Sequence, residues 1–141
     1  MNITRLGPGD EQRVVEAGHL FDFPARPDAV ERFLADPNHH LCIAYAAGGP
    51  VGFVSGVEVT HPDKGTEMFL YELAVDEGHQ RQGIGKALVQ ALADLGREHG
   101  CYGMWVLADD DNVAAAATYR KAGGEVESKP VMFSWRFKPE Q

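Results

Sequence analysis

Residues able to do chemistry are concentrated between Tyr71 and Leu88, where the chain reads Tyr71-Glu72-Leu73-Ala74-Val75, then Gln80-Arg81-Gln82-Gly83-Ile84-Gly85-Lys86, then Ala87-Leu88. An apolar strand feeds a glycine loop, and the loop opens a helix. The first backbone N–H groups of a helix have no intrahelical partner, and the helix dipole adds positive potential there. Such a terminus binds anions, most often phosphate. Gly83 and Gly85 let the backbone approach the anion, and Arg81 and Lys86 add charge at the rim. Two other phosphate loops fit poorly. An NTPase loop needs Ser or Thr after Gly-Lys, and Ala87 stands there; a dinucleotide fingerprint needs a third glycine, and Leu88 occupies that position. The alternative is that the glycines serve only a tight strand-to-helix turn.

Other polar residues stand out against their surroundings. Glu72 is a carboxylate in a strand otherwise made of Phe69, Leu70, Tyr71, Leu73, Ala74 and Val75. It is either a functional group or the solvent-facing residue of a half-exposed strand. Asp109-Asp110-Asp111 precede Asn112, where acidic residues complement a helix dipole or form an acidic wall for a cationic ligand. Histidines 19, 39, 40, 61, 79 and 99 show no metal-ligand spacing, so they read as surface or loop residues and no metal is expected. Cys42 lies in a strand-like run and reads as a buried thiol. Cys101 has no base nearby in sequence to activate it.

The elements that must position these groups form one alternating unit. Ile3 to Leu6 reads as a strand. Asp10 to Phe21 reads as a helix, and Asp28 caps a second one through Leu34, with Glu31 completing a capping box. Leu41 to Ala46 and Val51 to Thr60 form a hairpin with a loop of moderate length, and Glu67 to Val75 is a third strand. Ile84, Ala87, Leu88, Ala91, Leu92 and Leu95 recur at helical spacing, with Gly100 as the stop. Met104 to Leu107 reads as a short buried strand, Asn112 to Ala122 as a helix capped by Asn112, and Val131 to Phe137 as a final strand. The expected class is α/β, a mixed sheet with helices on both faces, in a single domain over residues 1–141.

Bulk properties bound the function. A chain of 141 residues buries a core without disulfides or metals. A net charge of −8 argues against nucleic acid as a partner and permits a cationic one. No apolar run reaches membrane-spanning length and no signal peptide is recognisable, so a cytoplasmic location is expected. Phe133 and Trp135 are candidate anchors of a homodimer interface, and core packing explains them equally well.

The segment Gln80 to Gly85 resembles the Q/R-x-x-G-x-G/A signature of the GCN5-related N-acetyltransferases (GNAT). The resemblance extends upstream to Tyr71-Glu72-Leu73-Ala74-Val75 and downstream from Asn112 to Gly123, and covers most of the chain. It implies the acyl-CoA N-acyltransferase fold, with a mostly antiparallel sheet splayed at a bulge. It implies acetyl-CoA as cosubstrate. The amides of Gln80, Arg81, Gln82, Gly83, Ile84, Gly85 and Lys86 would hold the pyrophosphate, Leu73, Ala74 and Val75 would pair with the pantetheine arm, and Asn112 would line the same groove. It implies Glu72 as the base or orienter of the attacking amine and Tyr119 as the acid for the departing thiolate. Within the superfamily the stretch is most like the aminoglycoside 3-N-acetyltransferases, so the expected acceptor is a small polycationic amine held by Glu72, Asp109, Asp110 and Asp22. The segment from Phe21 to Pro37 is shorter than in that branch. Acetylation of another small amine, a peptide or a protein lysine, or CoA binding by a regulatory module without turnover, are the competing readings.

Overall fold

The computed structural model describes residues 1–138. Five strands form one sheet in sequence order: β1 (Asn2–Arg5), β2 (His39–Ala46), β3 (Gly49–His61), β4 (Gly65–Val75) and β5 (Met104–Trp105). The first four pair antiparallel, and β5 runs parallel to β4. Helices α1 (Glu11–Glu16) and α2 (Pro27–Ala35) lie between β1 and β2 in sequence; α3 (Ile84–Glu98) and α4 (Val113–Lys121) flank β5. Among the described residues, no helix is long and apolar enough to cross a membrane.

Strand alternation divides the interior into two cores. Cys42, Ala44 and Val54 face one side with Leu88 and Leu92 of α3; Leu41, Ile43 and Phe53 face the other with Val14 of α1 and Leu34 of α2. Helix α3 sits close to β3 because two strand residues lack side chains. A Cβ on Gly56 would lie 2.8 Å from Leu92 Cδ2, and one on Gly52 would lie 3.1 Å from Leu88 Cδ1. The helix leucines occupy the volume that larger strand residues would need.

The β3–β4 ladder carries an irregularity that decides the site. Ser55 pairs with Glu72 and Gly56 pairs with Leu70, so Tyr71 is an extra residue on β4. One inserted residue inverts the alternation. Met68 and Leu70 before the bulge pack into the α3 core, and so do Leu73 and Val75 after it. Tyr71 and Glu72 are both left on the α1–α2 side, where they line one cavity. On its other edge β4 meets β5 only at Met68 and Phe69. From Leu70 onward β4 has no partner on that edge among the described residues.

Several boundaries differ from expectation. The first helix ends at Glu16, and Gly18–Leu20 continue as a 3₁₀ turn. Arg26, not Asp28, is the N-cap of α2, with Pro27 at the first helical position, where a missing N–H costs nothing. The β2–β3 loop is only Ala47-Gly48, tighter than expected. Strand β5 is two residues long and Trp105 is exposed, so the expected buried strand through Leu107 shrinks to a brief contact. Residues 131–137 form no strand, and Phe133 and Trp135 are 79% and 75% exposed. Their alternation finds no neighbouring strand to pair with, and a strand without a ladder is not stable. Core packing therefore does not explain them.

Candidate active site

The loop before α3 leaves helix N–H groups without a protein cap. The first intrahelical bond of α3 runs from the Ala87 N–H to the Gly83 carbonyl at 3.0 Å, which leaves the amides of Gly83 through Lys86 ahead of it. No side chain caps this terminus. Arg81 has φ 65° and Gly83 has φ 81°. Left-handed residues recur in the backbone nests that bind anions. A positive φ at Arg81 is costly for a residue with a Cβ and points to a functional constraint. Gln80 Nε2 donates to the Val75 carbonyl at 3.3 Å, tying the loop back to the strand end. Gly83 has open space around it, so it is needed for its conformation. Gly85 differs: a Cβ there would lie 3.2 Å from Thr118 Cγ2, so its lack of side chain serves close packing of α3 on α4. At Gly85 the missing Cβ therefore also clears a helix–helix contact, beyond the approach to an anion expected of both glycines. Gln82 and Lys86 are exposed beside the loop, while the Ile84 side chain turns into the core.

Glu72 stands at the wall of a cavity of about 300 Å³ between the sheet and α1–α2. Its carboxylate opens to solvent on one side, yet partial burial raises its pKa, and the nearby Asp22 carboxylate raises it further. Both effects make it a better proton acceptor toward an ammonium than an ordinary glutamate. Asp22 is thus brought to Glu72 by the fold. Asp109 and Asp110 are exposed in the loop before α4 and do not line the cavity. The Asp109 carbonyl accepts the Asn112 N–H at 3.0 Å, and Asn112 Oδ1 accepts the Ala115 N–H at 3.1 Å, so Asn112 is a working N-cap.

Tyr119 lies on α4 and packs against the α3-side core. Burial raises its phenol pKa, so the hydroxyl keeps its proton and can donate it. Glu72 and Tyr119 thus belong to opposite sides of the sheet, Glu72 to the α1–α2 cavity and Tyr119 to the α3-side core. Leu73, Ala74 and Val75 lie half-buried along the gap that β5 leaves on its edge of β4. An extended ligand can add to such a free strand edge. With the uncapped α3 terminus at one end of the gap, the residues present fit a CoA thioester.

Two features escaped the sequence reading. Ser55 faces Glu72 across the ladder, lines the same cavity at 7% exposure, and its Oγ has no hydrogen-bond partner. The signal was there only as the pairing register, which a single strand does not carry. The second is His40, expected at the surface but fully buried on β2. Arg5 Nε donates to His40 Nδ1 at 3.0 Å, so the ring proton sits on Nε2, which donates to Glu58 Oε2 at 2.6 Å. His99 Nδ1 lies 2.7 Å from the same oxygen. Burial lowers the His40 pKa and outweighs the opposing pull of Glu58. Three ligand atoms of His40, Glu58 and His99 gather within 4.8 Å, a spacing that suits a metal ion. A metal-bound histidine, however, donates its second N–H outward, and here Arg5 donates inward to that nitrogen. Arg5, His40, Glu58 and His99 form a hydrogen-bonded network instead. Cys42 is buried as expected, with its thiol pushed up to about 11, and burial also raises Cys101.

Comparison with known proteins agrees with this geometry. An N-alpha-acetyltransferase RimI of Mycobacterium tuberculosis is 33% identical over 126 residues, covering 87% of this chain and 77% of the relative. An aminoglycoside acetyltransferase from an uncultured soil metagenomic sample, solved in complex with sisomicin, superposes with a TM-score of 0.87 at 25% identity, covering 97% of this chain and 96% of the other. A second such enzyme from a soil metagenomic sample superposes with a TM-score of 0.82 at 26% identity, covering 97% and 98%. The profile of the acetyltransferase (GNAT) family matches residues 12–124. This chain belongs to the GNAT family of N-acetyltransferases.

Proposed function

We propose that this chain transfers acetyl from acetyl-CoA directly to a primary amine, with Glu72 as base and Tyr119 as acid. The cosubstrate supplies an activated acetyl thioester. The amides from Gln80 to Lys86 hold its pyrophosphate, and Leu73, Ala74 and Val75 align its arm along the free edge of β4. Glu72 accepts one proton from the incoming ammonium, Tyr119 gives one to the departing sulfur, and the second proton that nitrogen loses as the amide forms returns through solvent to Tyr119. The observation that carries this reading is the placement of Glu72. The bulge at Tyr71 turns its raised-pKa carboxylate into the cavity beside the gap. Main-chain N–H groups near Leu73 are the candidate donors to the developing oxyanion.

Two acceptor readings stand. The solved relatives bind or are named for aminoglycosides, and the Asp22–Glu72 pair suits a cation with more than one charge. The exposed Asp109 and Asp110 would extend that acidic rim. The cavity lining favours an amine on an apolar body. The test is CoA-thiol release measured with acetyl-CoA and an amine panel of aminoglycosides, polyamines, amino-acid amides and short peptides. Release that depends on an added amine supports the proposal. Thiol release at the same rate with no amine, or no release with any, defeats it.

A further inference from the structure

We infer that the acceptor is a primary amine carried on an apolar group of about aromatic size, seated in the cavity beneath Glu72 with Ser55 as its hydrogen-bond partner. This rests on the amine-transfer reading above and names the substrate class for the same site.

The cavity is amphipathic in one direction. At its wall stand Glu72 and, near it, Asp22, which attract a cation. Its interior is lined by Phe21, Phe33, Leu34, Leu41 and Phe53, with Phe21 and Phe53 ring centroids 4.8 Å apart. Glu72, Ser55 and Tyr71 are the only lining residues with a polar group, and the other ten are apolar. A volume of about 300 Å³ exceeds the roughly 150 Å³ of an apolar cavity that holds benzene, so a ring with a short linker fits. A ring bearing several hydroxyl and ammonium groups would lose its water contacts there and find only Glu72, Ser55 and Tyr71 as partners. Such a body stays outside, whereas an apolar one gains by leaving water.

Ser55 adds a second, independent observation. Its Oγ is buried and unpartnered, and buried polar groups in folded proteins nearly always have partners. Its register partner across the ladder is Glu72. Side chains of directly opposed residues point to the same face. An amine held at Glu72 thus lies within reach of the Ser55 hydroxyl, which supplies the missing bond.

The experiment is steady-state thiol release with four acceptors: 2-phenylethylamine, ethylamine, a tripeptide beginning with Phe, and sisomicin. The expected result is a kcat/KM about ten- to hundredfold higher for 2-phenylethylamine or the Phe peptide than for ethylamine, the range a filled apolar pocket gives. Whichever of the two is better identifies the source as a free amine or a peptide N-terminus. Phe33→Ser should lower kcat/KM for 2-phenylethylamine and the Phe peptide more than for ethylamine, erasing that preference. Should Phe33→Ser unfold, Phe23→Ser at the exposed rim should reduce the preference in a folded protein. Ser55→Ala should lower kcat/KM about tenfold with Tm unchanged or raised, because no protein hydrogen bond is lost. A purely structural serine would lower Tm and leave kinetics alone. Fast sisomicin turnover with no preference for 2-phenylethylamine or the peptide over ethylamine would overturn the inference and leave amine transfer intact. No thiol release with any amine would overturn amine transfer itself.

Discussion

Ser55 and Glu72 oppose each other across β3 and β4, one step before Tyr71 interrupts the ladder. In the proposed reaction this pair marks where the acceptor gives up its proton. Glu72→Gln keeps the shape and removes the charge, so turnover should fall by about 10² to 10⁴, the span of a lost general base. The acid limb of the rate profile in the wild type should lie above the ordinary carboxylate range, because burial and Asp22 both raise the Glu72 pKa. Asp22→Asn removes one of those causes and should move the limb to lower pH. A limb that ignores Asp22 in kcat/KM profiles would count against the pairing.

The same raised pKa has a cost to the fold. A carboxylate whose folded pKa exceeds its unfolded value stabilises the protein at low pH and loses that contribution as pH rises through the folded value. Glu72→Gln should therefore be at least as stable as the wild type at neutral pH, by thermal melting. A clear drop in Tm there would mean that Glu72 has a structural partner.

Gly83 and Gly85 should separate by mechanism. Gly83→Val meets no atom but forces a Cβ into φ 81°, at about 1–2 kcal/mol for a left-handed residue. It should weaken CoA binding, read by calorimetry, more than it lowers Tm. Gly85→Val drives atoms into Thr118, 3.2 Å from the Cβ position, and should lower Tm first. Adding Thr118→Ser should recover part of that loss. Equal behaviour of the two variants would contradict the division of roles.

Tyr119→Phe should lower turnover by about tenfold or more while leaving CoA affinity unchanged, since the ring keeps its packing. Its wild-type pKa is raised by burial, so activity should persist to alkaline pH and the alkaline limb should vanish in the variant. An unchanged turnover number returns Tyr119 to packing alone.

Acid should weaken the fold through His40. Its folded pKa lies below the unfolded 6.5, so its contribution is present above 6.5 and is lost as pH falls through the folded value. Tm should decline from about pH 6.5 downward, and Glu58, whose pKa is also lowered, should add to the loss at lower pH. His40→Ala should cost about 1–3 kcal/mol at neutral pH, by leaving Glu58 and Arg5 without their buried partner. It should also flatten the decline between pH 6.5 and 5.

The sequence by itself determined what is local. Glycines at 83 and 85 after a strand and before an apolar-periodic helix specify a tight turn into an uncapped helix, and Asn112 specifies a cap, because both depend on backbone groups a few residues apart. A carboxylate in an apolar strand marked Glu72, but not the direction it faces. Only the tertiary structure decided that. The extra residue at Tyr71 exists relative to β3, so the inverted alternation that sends Glu72 into the cavity is a property of two strands and of neither alone. Ser55 becomes informative only when opposed to Glu72, and His40 only when Arg5 and Glu58 close around it from β1 and β3. Residues 131–137 show the converse: alternation gives a strand its potential, and a pairing neighbour, supplied from elsewhere in three dimensions, is what realises it.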